Sequence, residues 1–202
     1  MVRAEIRIVG SGGQGAITIG SLLGRVATLY ERKVAAQTHS YGAAVRGGII
    51  WTEVVISDEE IDYPGVIETD AIIVMSQEAA DRYASDIREG STVIIDSSLV
   101  QKPSTGGVEP YQIPASELAE RKLGNGLFAN MILLGFLVGL TGVVNKSSLT
   151  KAVKEGMRLS DLNIRALEIG FTLSESKESS EGRINGQEPA SSEEEKVRHR
   201  HR

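Results

Sequence analysis

Short apolar runs rich in valine and isoleucine alternate with longer amphipathic stretches over the first half of the chain. The apolar runs predict β-strands at residues 4–9, 34–37, 49–56, 71–75 and 92–96. Helical patterns at 17–31 and 77–88 fall between strands, an alternation typical of a parallel sheet with crossover helices. The run at 49–56 has a loop on either side, which leaves an antiparallel direction open for it.

The pattern changes after residue 96. A connector rich in glycine and proline at 101–114 leads to helical patterns at 116–123, 127–141, 147–157 and 161–168. We therefore predict an α/β fold with a Rossmann-like, mostly parallel sheet flanked by helices and with a helical C-terminal half.

The most apolar segment of the chain, residues 127–144, has only Asn130 and Thr141 as polar breaks. Its length lies at the lower limit for crossing a membrane, and it lacks flanking aromatic residues. A helix that is apolar all round is otherwise buried in a core or an interface. We expect a buried helix here, whose Gly135 and Gly139 allow close packing in the core or against a partner.

Charge and cysteine content narrow the functional classes. The net charge is −5 with both signs interspersed, which argues against nucleic acid and against an anionic membrane surface as partners. The chain contains no cysteine, so it has neither disulfides nor thiolates to hold an iron–sulfur cluster. A strand pattern begins almost at the first residue and leaves no room for a signal peptide, so we expect a cytoplasmic location.

Apolar residues almost vanish from residue 174 onward. The stretch 174–202 carries seven acidic and six basic residues. Such a segment cannot bury enough apolar surface to offset the entropy of ordering it. The sequence therefore predicts one domain at 1–173 followed by a disordered charged tail at 174–202.

A glycine-rich loop, Gly10-Ser-Gly-Gly-Gln-Gly15, joins the first strand to the first helix. Such a loop brings backbone amides to a helix N-terminus, where anions bind, and we predict a cofactor phosphate site at Gly12, Gly13, Gln14 and Gly15. A tight turn without a ligand is the alternative. A dinucleotide site is disfavoured because the second strand ends without the carboxylate that would hold a ribose.

The second candidate loop follows the second strand. It offers Thr38, Ser40 and Tyr41 as hydrogen-bonding groups and Arg46 as a cation with a planar donor fork. We expect the first two strands to lie side by side in a parallel sheet, so that Arg46 comes close to the glycine loop and an anion is held between them. An ion pair between Arg46 and a carboxylate of this or another chain is the alternative. No nucleophile with an adjacent base and no metal-ligand spacing is found, so we predict neither catalytic nor metal-binding residues.

Several motifs in sequence order resemble the gamma subunits of 2-oxoacid:ferredoxin oxidoreductases. They span residues 5–170 and comprise the glycine loop, Gln37-Thr-x-Ser-Tyr-Gly42 with Arg46-Gly-Gly48, Glu53-Val-Val-Ile-Ser57 with Ile61-x-Tyr-Pro64, Ser76-Gln-Glu-Ala79, and Gly124-Asn125 with Asn130-Met-x-x-Leu-Gly135. The motif Gln37-Thr-x-Ser-Tyr-Gly42 with Arg46-Gly-Gly48 looks more like that of the 2-oxoglutarate and branched-chain types than that of the pyruvate or indolepyruvate types.

The resemblance implies a non-catalytic subunit of a complex that decarboxylates 2-oxoglutarate, transfers the acyl group to coenzyme A and reduces ferredoxin. It implies thiamine diphosphate between alpha and beta partner subunits, iron–sulfur clusters on beta or a delta subunit, and coenzyme A at the surface of this chain. A branched-chain 2-oxoacid or pyruvate enzyme, a free-standing dinucleotide-binding oxidoreductase and a pure interaction module are the alternatives.

Overall fold

The computed structural model describes residues 3–40 and 48–184, with side chains up to residue 177. Six strands and six α-helices are formed within these ranges. In chain order they are β1 (Arg3–Ser11), α1 (Ala16–Glu31), β2 (Val34–His39), β3 (Ile49–Ser57), β4 (Ala71–Val74), α2 (Gln77–Tyr83), β5 (Thr92–Asp96), β6 (Tyr111–Ile113), α3 (Ala115–Leu123), α4 (Ala129–Thr141), α5 (Lys146–Gly156) and α6 (Ser160–Ile184).

The strands form one sheet in the order β2-β3-β1-β4-β5-β6. β3 runs antiparallel to both of its neighbours, whereas β1, β4, β5 and β6 pair in parallel. The α/β class, the mostly parallel sheet and the helical second half are thus confirmed. One expectation is wrong: β1 and β2 are not neighbours, because β3 lies between them.

Helices cover the two faces of the sheet unequally. Successive side chains of a strand point to opposite faces, so each strand contributes to two separate cores. Ile6 and Ile8 of β1 point into a large core formed with α1 and α3–α6, whereas Val9 points to a smaller core with α2. The chain leaves β1 through α1 on one face and β4 through α2 on the other. The sheet therefore has a topological switch point between the carboxyl ends of β1 and β4.

Helix α4 lies at the centre of the larger core, as its apolar sequence predicts. The residues from Met131 to Val138 are all buried. A Cβ atom added at Gly135 would overlap the backbone of Leu167 in α6, and one added at Gly139 would lie 3.0 Å from Ser174 Cβ. The two glycines therefore allow α6 to pack directly on α4. No helix in the described part of the chain is long and apolar enough to cross a membrane.

The last helix, α6, extends further than the helical pattern at residues 161–168 indicates. Helix α6 continues to Ile184, and Ser174 is fully buried where it meets Gly139 of α4. The domain boundary at residue 173 and the disordered tail stay predictions, while the structure places residues 174–184 in α6 and packs Ser174 against Gly139. The rest of the expected tail, residues 185–202, lies outside the described residues.

Strand β6 was not predicted from the sequence. It has three residues and lies within the expected connector. It pairs in parallel with β5 and lies before α3. Buried Asp96 at the end of β5 accepts hydrogen bonds from Ser98 N at 3.1 Å and Ser116 Oγ at 2.6 Å. This carboxylate ties the end of β5 to the start of α3, which is a structural role.

Candidate functional site

The glycine loop turns the chain from β1 into α1 at the carboxyl edge of the sheet. Gly13 and Gly15 have φ angles of +95° and +83°, a left-handed conformation that favours glycine. Gly15 is the N-cap of α1, which has no side-chain cap. A Cβ atom at Gly15 would also overlap the Asn130 amide nitrogen, so α4 packs against this turn.

Gln14 holds the loop closed. Its Oε1 accepts a hydrogen bond from Ser11 N at 2.6 Å, and its Nε2 donates to the carbonyl oxygen of Met75 at 2.7 Å. A Cβ atom at Gly10 would lie 2.6 Å from Gln14 Oε1, so only glycine fits beneath this side chain. The amide of Gln14 therefore bridges the carboxyl ends of β1 and β4, where a nucleotide lies in many open α/β sheets.

Two of the four amides predicted to bind an anion already have partners. Gly12 N donates to Gly48 O at 3.1 Å, and Gln14 N donates to Ser11 O at 3.2 Å. The amides of Gly13 and Gly15 remain as the candidates for an anion in this loop. A phosphate bound there stays a prediction.

Gly48, the described end of the second candidate loop, lies at the same edge for a different reason from the one expected. Because β3 runs antiparallel to β1, its first residue Ile49 pairs with Ser11, and Gly48 meets Gly12. The two loops are therefore adjacent although β1 and β2 are separated by a strand. The predicted residues Tyr41 and Arg46 lie outside the described residues.

Thr38 and Ser40 fasten β2 to β3. Thr38 Oγ1 donates to Glu53 Oε2 at 3.2 Å, and Ser40 Oγ accepts from Trp51 N at 3.2 Å. Both predicted binding residues therefore have structural hydrogen bonds. Ser40 in addition borders the cavity described next.

A cavity of about 570 Å³ opens beside the two loops, on the face of the sheet that carries α2. Its volume falls within the range of small-molecule sites. Its residues come from three separate segments, so no local sequence pattern indicates this site. The lining residues are His39, Ser40, Ile49, Trp51, Glu78, Arg82 and Tyr83.

Register explains how Trp51 reaches the cavity. It pairs with Val9 at the carboxyl end of β1, and its side chain, like those of Ile49 and Tyr83, packs against the smaller core. The sign of this position in the sequence was a single tryptophan in a strand that the pattern left either parallel or antiparallel. Once β3 is antiparallel, its first residues lie at the carboxyl edge of the sheet.

An ion cluster lies under the wall of the cavity. Arg7 Nη2 contacts Glu53 Oε1 at 2.6 Å, a second nitrogen of Arg7 contacts Asp86, and the guanidinium lies 5.7 Å from the centre of the Tyr83 ring. Burial raises the pKa of Tyr83, although Arg82 and Arg7 act in the opposite direction. Arg7 is balanced by two carboxylates, so Arg82 is the guanidinium that the cavity presents to a ligand.

Within residues 3–40 and 48–184, no group of three histidine, aspartate or glutamate side chains is placed to hold a metal ion. The arrangement at this edge instead combines two loop amides, a cation and an aromatic wall. The amides, Arg82 and the aromatic wall fit an anionic ligand with a planar or apolar part, whereas the carboxylate of Glu78, which also lines the cavity, repels an anion.

The sequence model of the pyruvate ferredoxin/flavodoxin oxidoreductase family matches residues 5–173, nearly the whole span of the fold. The chain belongs to this family. It is 45% identical over 158 residues to 2-oxoglutarate synthase subunit KorC of Methanocaldococcus jannaschii, an alignment covering 77% of this chain and 84% of that protein. It is 34% identical over 173 residues to ketoisovalerate oxidoreductase subunit VorA of Methanothermobacter thermautotrophicus, covering 82% of this chain and 35% of that protein.

The fold matches a solved member of the family. The gamma subunit of a keto/oxoacid ferredoxin oxidoreductase from Geobacter sulfurreducens superposes with a TM-score of 0.76 at 36% identity, covering 86% of this chain and 99% of that one. The resemblance to gamma subunits read from the sequence is thus confirmed. The chain's homologues are subunits of ferredoxin oxidoreductase complexes.

Proposed function

We propose that this chain is the gamma subunit of a 2-oxoglutarate:ferredoxin oxidoreductase and that it contributes no catalytic residue. The observation that carries the proposal is the higher identity to the 2-oxoglutarate synthase subunit than to the ketoisovalerate subunit. The complex decarboxylates the 2-oxoacid, transfers the acyl group to coenzyme A and passes electrons to ferredoxin. A cytoplasmic location stays a prediction.

Thiamine diphosphate and iron–sulfur clusters belong, in this proposal, to the alpha, beta and delta partner subunits. The chain has no cysteine with which to bind a cluster. Its own contribution is to shape the complex and the approach of coenzyme A.

The carboxyl edge supports a role toward coenzyme A, which is anionic through its phosphates. The amides of Gly13 and Gly15 and the guanidinium of Arg82 are groups that bind phosphate. We propose that they and Arg46 face coenzyme A in the assembled complex.

Two features argue against a free-standing dinucleotide enzyme. The Gln14 side chain bridges the switch point between β1 and β4. In addition, β3 lies between β1 and β2, so these two strands do not form the adjacent parallel pair of a dinucleotide-binding fold.

Reconstitution with the alpha, beta and delta partner subunits tests the proposal. The complex should reduce ferredoxin or a viologen dye only when 2-oxoglutarate and coenzyme A are both present, and the isolated chain should reduce neither. Faster reduction with 2-oxoisovalerate would favour a branched-chain enzyme, the second candidate, which the VorA relative supports. Substrate-dependent dye reduction by the isolated chain would overturn both.

A further inference from the structure

The segment that joins β3 to β4, residues 58–70, forms neither helix nor strand, yet its backbone is held at several points. We call it the acidic loop. Glu5 Oε2 accepts hydrogen bonds from the amides of Ile67 and Glu68, the second at 2.7 Å. Arg3 donates to the carbonyl oxygens of Tyr63 and Gly65 at 3.2 and 3.3 Å.

The carboxylate that holds this loop is itself buried. Glu5 is 5% exposed and forms an ion pair with Arg3 Nε at 2.6 Å. Burial alone would raise the pKa of Glu5, but Arg3 and the two loop amides outweigh burial and lower that pKa. A third carboxylate contact, from Glu53 Oε2 to Val66 N at 3.2 Å, fixes the middle of the loop. The loop is therefore preorganised rather than loosely tethered.

Two large apolar side chains of this loop are exposed to solvent among its acidic residues. Tyr63 is 56% exposed and Ile67 is 69% exposed. Gly65 lies beneath the Tyr63 ring, because a Cβ atom there would lie 2.7 Å from Tyr63 Cε1. The ring is thus supported from below. A rigidly held aromatic residue with an aliphatic neighbour is typical of the residues that anchor protein–protein interfaces.

The surrounding charge selects the partner. Asp58, Glu59, Glu60 and Asp62 are exposed, and residues 58–70 include neither lysine nor arginine. Nucleic acid, anionic lipid and the same loop of a second copy would all be repelled. A protein surface with a basic rim around an apolar pocket is complementary to this loop.

We propose that the acidic loop docks Tyr63 and Ile67 into a basic-rimmed apolar pocket on another subunit of the same oxidoreductase complex. This inference rests on the proposed function. The loop follows Ser57, which pairs with Arg3 at the amino end of β1. It therefore lies on the order of 25 Å along the strands from the glycine loop, so docking and ligand approach use opposite edges of the sheet.

Single cysteines provide a direct test because the chain has none of its own. Ile67 and Leu29 are both 69% exposed, so Leu29→Cys is a matched control for Ile67→Cys. In the isolated chain the two thiols should react with a maleimide at similar rates. In the complex reconstituted with the alpha, beta and delta subunits, we expect Ile67→Cys to react at least about tenfold more slowly and Leu29→Cys to keep its rate. Modification is read on peptides of this chain by mass spectrometry.

A second variant series checks the same docking by affinity. Tyr63→Ala should weaken assembly at least about tenfold, whereas Tyr63→Phe, which keeps the ring, should assemble as the wild type does. Glu59→Lys together with Glu60→Lys should also weaken assembly, with a loss that shrinks as salt rises. An Ile67→Cys thiol that reacts equally fast in the free chain and in an active complex would overturn the docking while leaving the proposed function intact. Failure of the wild-type chain to assemble with the alpha, beta and delta subunits would overturn both.

Discussion

At the scale of single residues, Gln14 has a structural role that its sequence motif does not predict. Its position in a glycine loop suggested a ligand contact. In the structure both ends of its amide hold the turn, one on Ser11 and one on Met75. The glycine at position 10 makes room for that amide. The ligand surface that we propose therefore lies beside the switch point and not in it.

Replacing Gln14 should destabilise the fold. Gln14→Ala leaves Ser11 N and Met75 O without their side-chain partner, and losses of this kind cost about 1–3 kcal/mol. Gln112→Ala is the control, because Gln112 is exposed on β6 and surface substitutions stay within about 0.5 kcal/mol. Urea unfolding of both variants measures the difference. Equal midpoints would mean that the bridge contributes nothing to stability.

Glu5 predicts a pH dependence of stability. Its pKa is lowered in the folded state, so its contribution is fully present above the ordinary glutamate value of about 4.3 and is lost as the pH falls through the folded value. Glu5→Gln should therefore flatten the loss of stability in acid and lower stability at neutral pH. Glu59→Gln, at an exposed position, serves as the control. Urea titrations from neutral pH down to about 3 test this, and parallel curves for wild type and Glu5→Gln would contradict it.

At the scale of elements, local patterns predicted what each segment forms but not which segments become neighbours. The valine-rich and isoleucine-rich strands and helix α1 follow from periodicity. The insertion of β3 between β1 and β2 depends on cross-strand pairs such as Arg7 with Glu53, which are far apart in sequence. Strand β6 is too short to show an alternation, and the polar end of α6 is held by a tertiary contact at Gly139.

The contact between α4 and α6 gives a prediction at this scale. Gly135→Ala places a Cβ atom against the backbone of Leu167, which cannot rotate away, so it should cost about 1–3 kcal/mol. Gly24→Ala is the matched control in α1: its Cβ atom would meet only Ala35, at 4.0 Å, and relief from glycine's helix penalty should stabilise it by about 0.5–1 kcal/mol. Thermal unfolding of the two variants should therefore shift in opposite directions. A Gly135→Ala protein as stable as the wild type would mean that the helices pack more loosely.

At the scale of the whole molecule, the sheet separates two kinds of surface. The carboxyl edge carries the glycine loop, the residues Ser40 and Gly48 that flank the undescribed part of the second loop, and the cavity with Arg82. The amino edge carries the acidic loop with Tyr63 and Ile67. The sequence located the first surface through its glycines, although it attributed the meeting of the two loops to the wrong strand pairing. It marked part of the second through the motif Ile61-x-Tyr-Pro64 but assigned it no role, because the contacts of Glu5 and Arg3 with the acidic loop appear only in the folded chain.

Arg82 at the carboxyl edge, together with Arg46 of the second candidate loop, gives the prediction that belongs to the assembled complex. Arg82→Ala and Arg46→Ala should each raise the KM for coenzyme A, by about tenfold for a loss of about 1.4 kcal/mol, and leave the KM for 2-oxoglutarate nearly unchanged. The effect should shrink as salt screens the attraction between guanidinium and phosphate. Arg121→Ala is the control, since Arg121 is exposed on α3 and pairs with Glu117 at 3.2 Å. If the Arg82 and Arg46 variants assemble poorly but keep the wild-type KM for coenzyme A, these arginines contact a partner subunit and not the coenzyme.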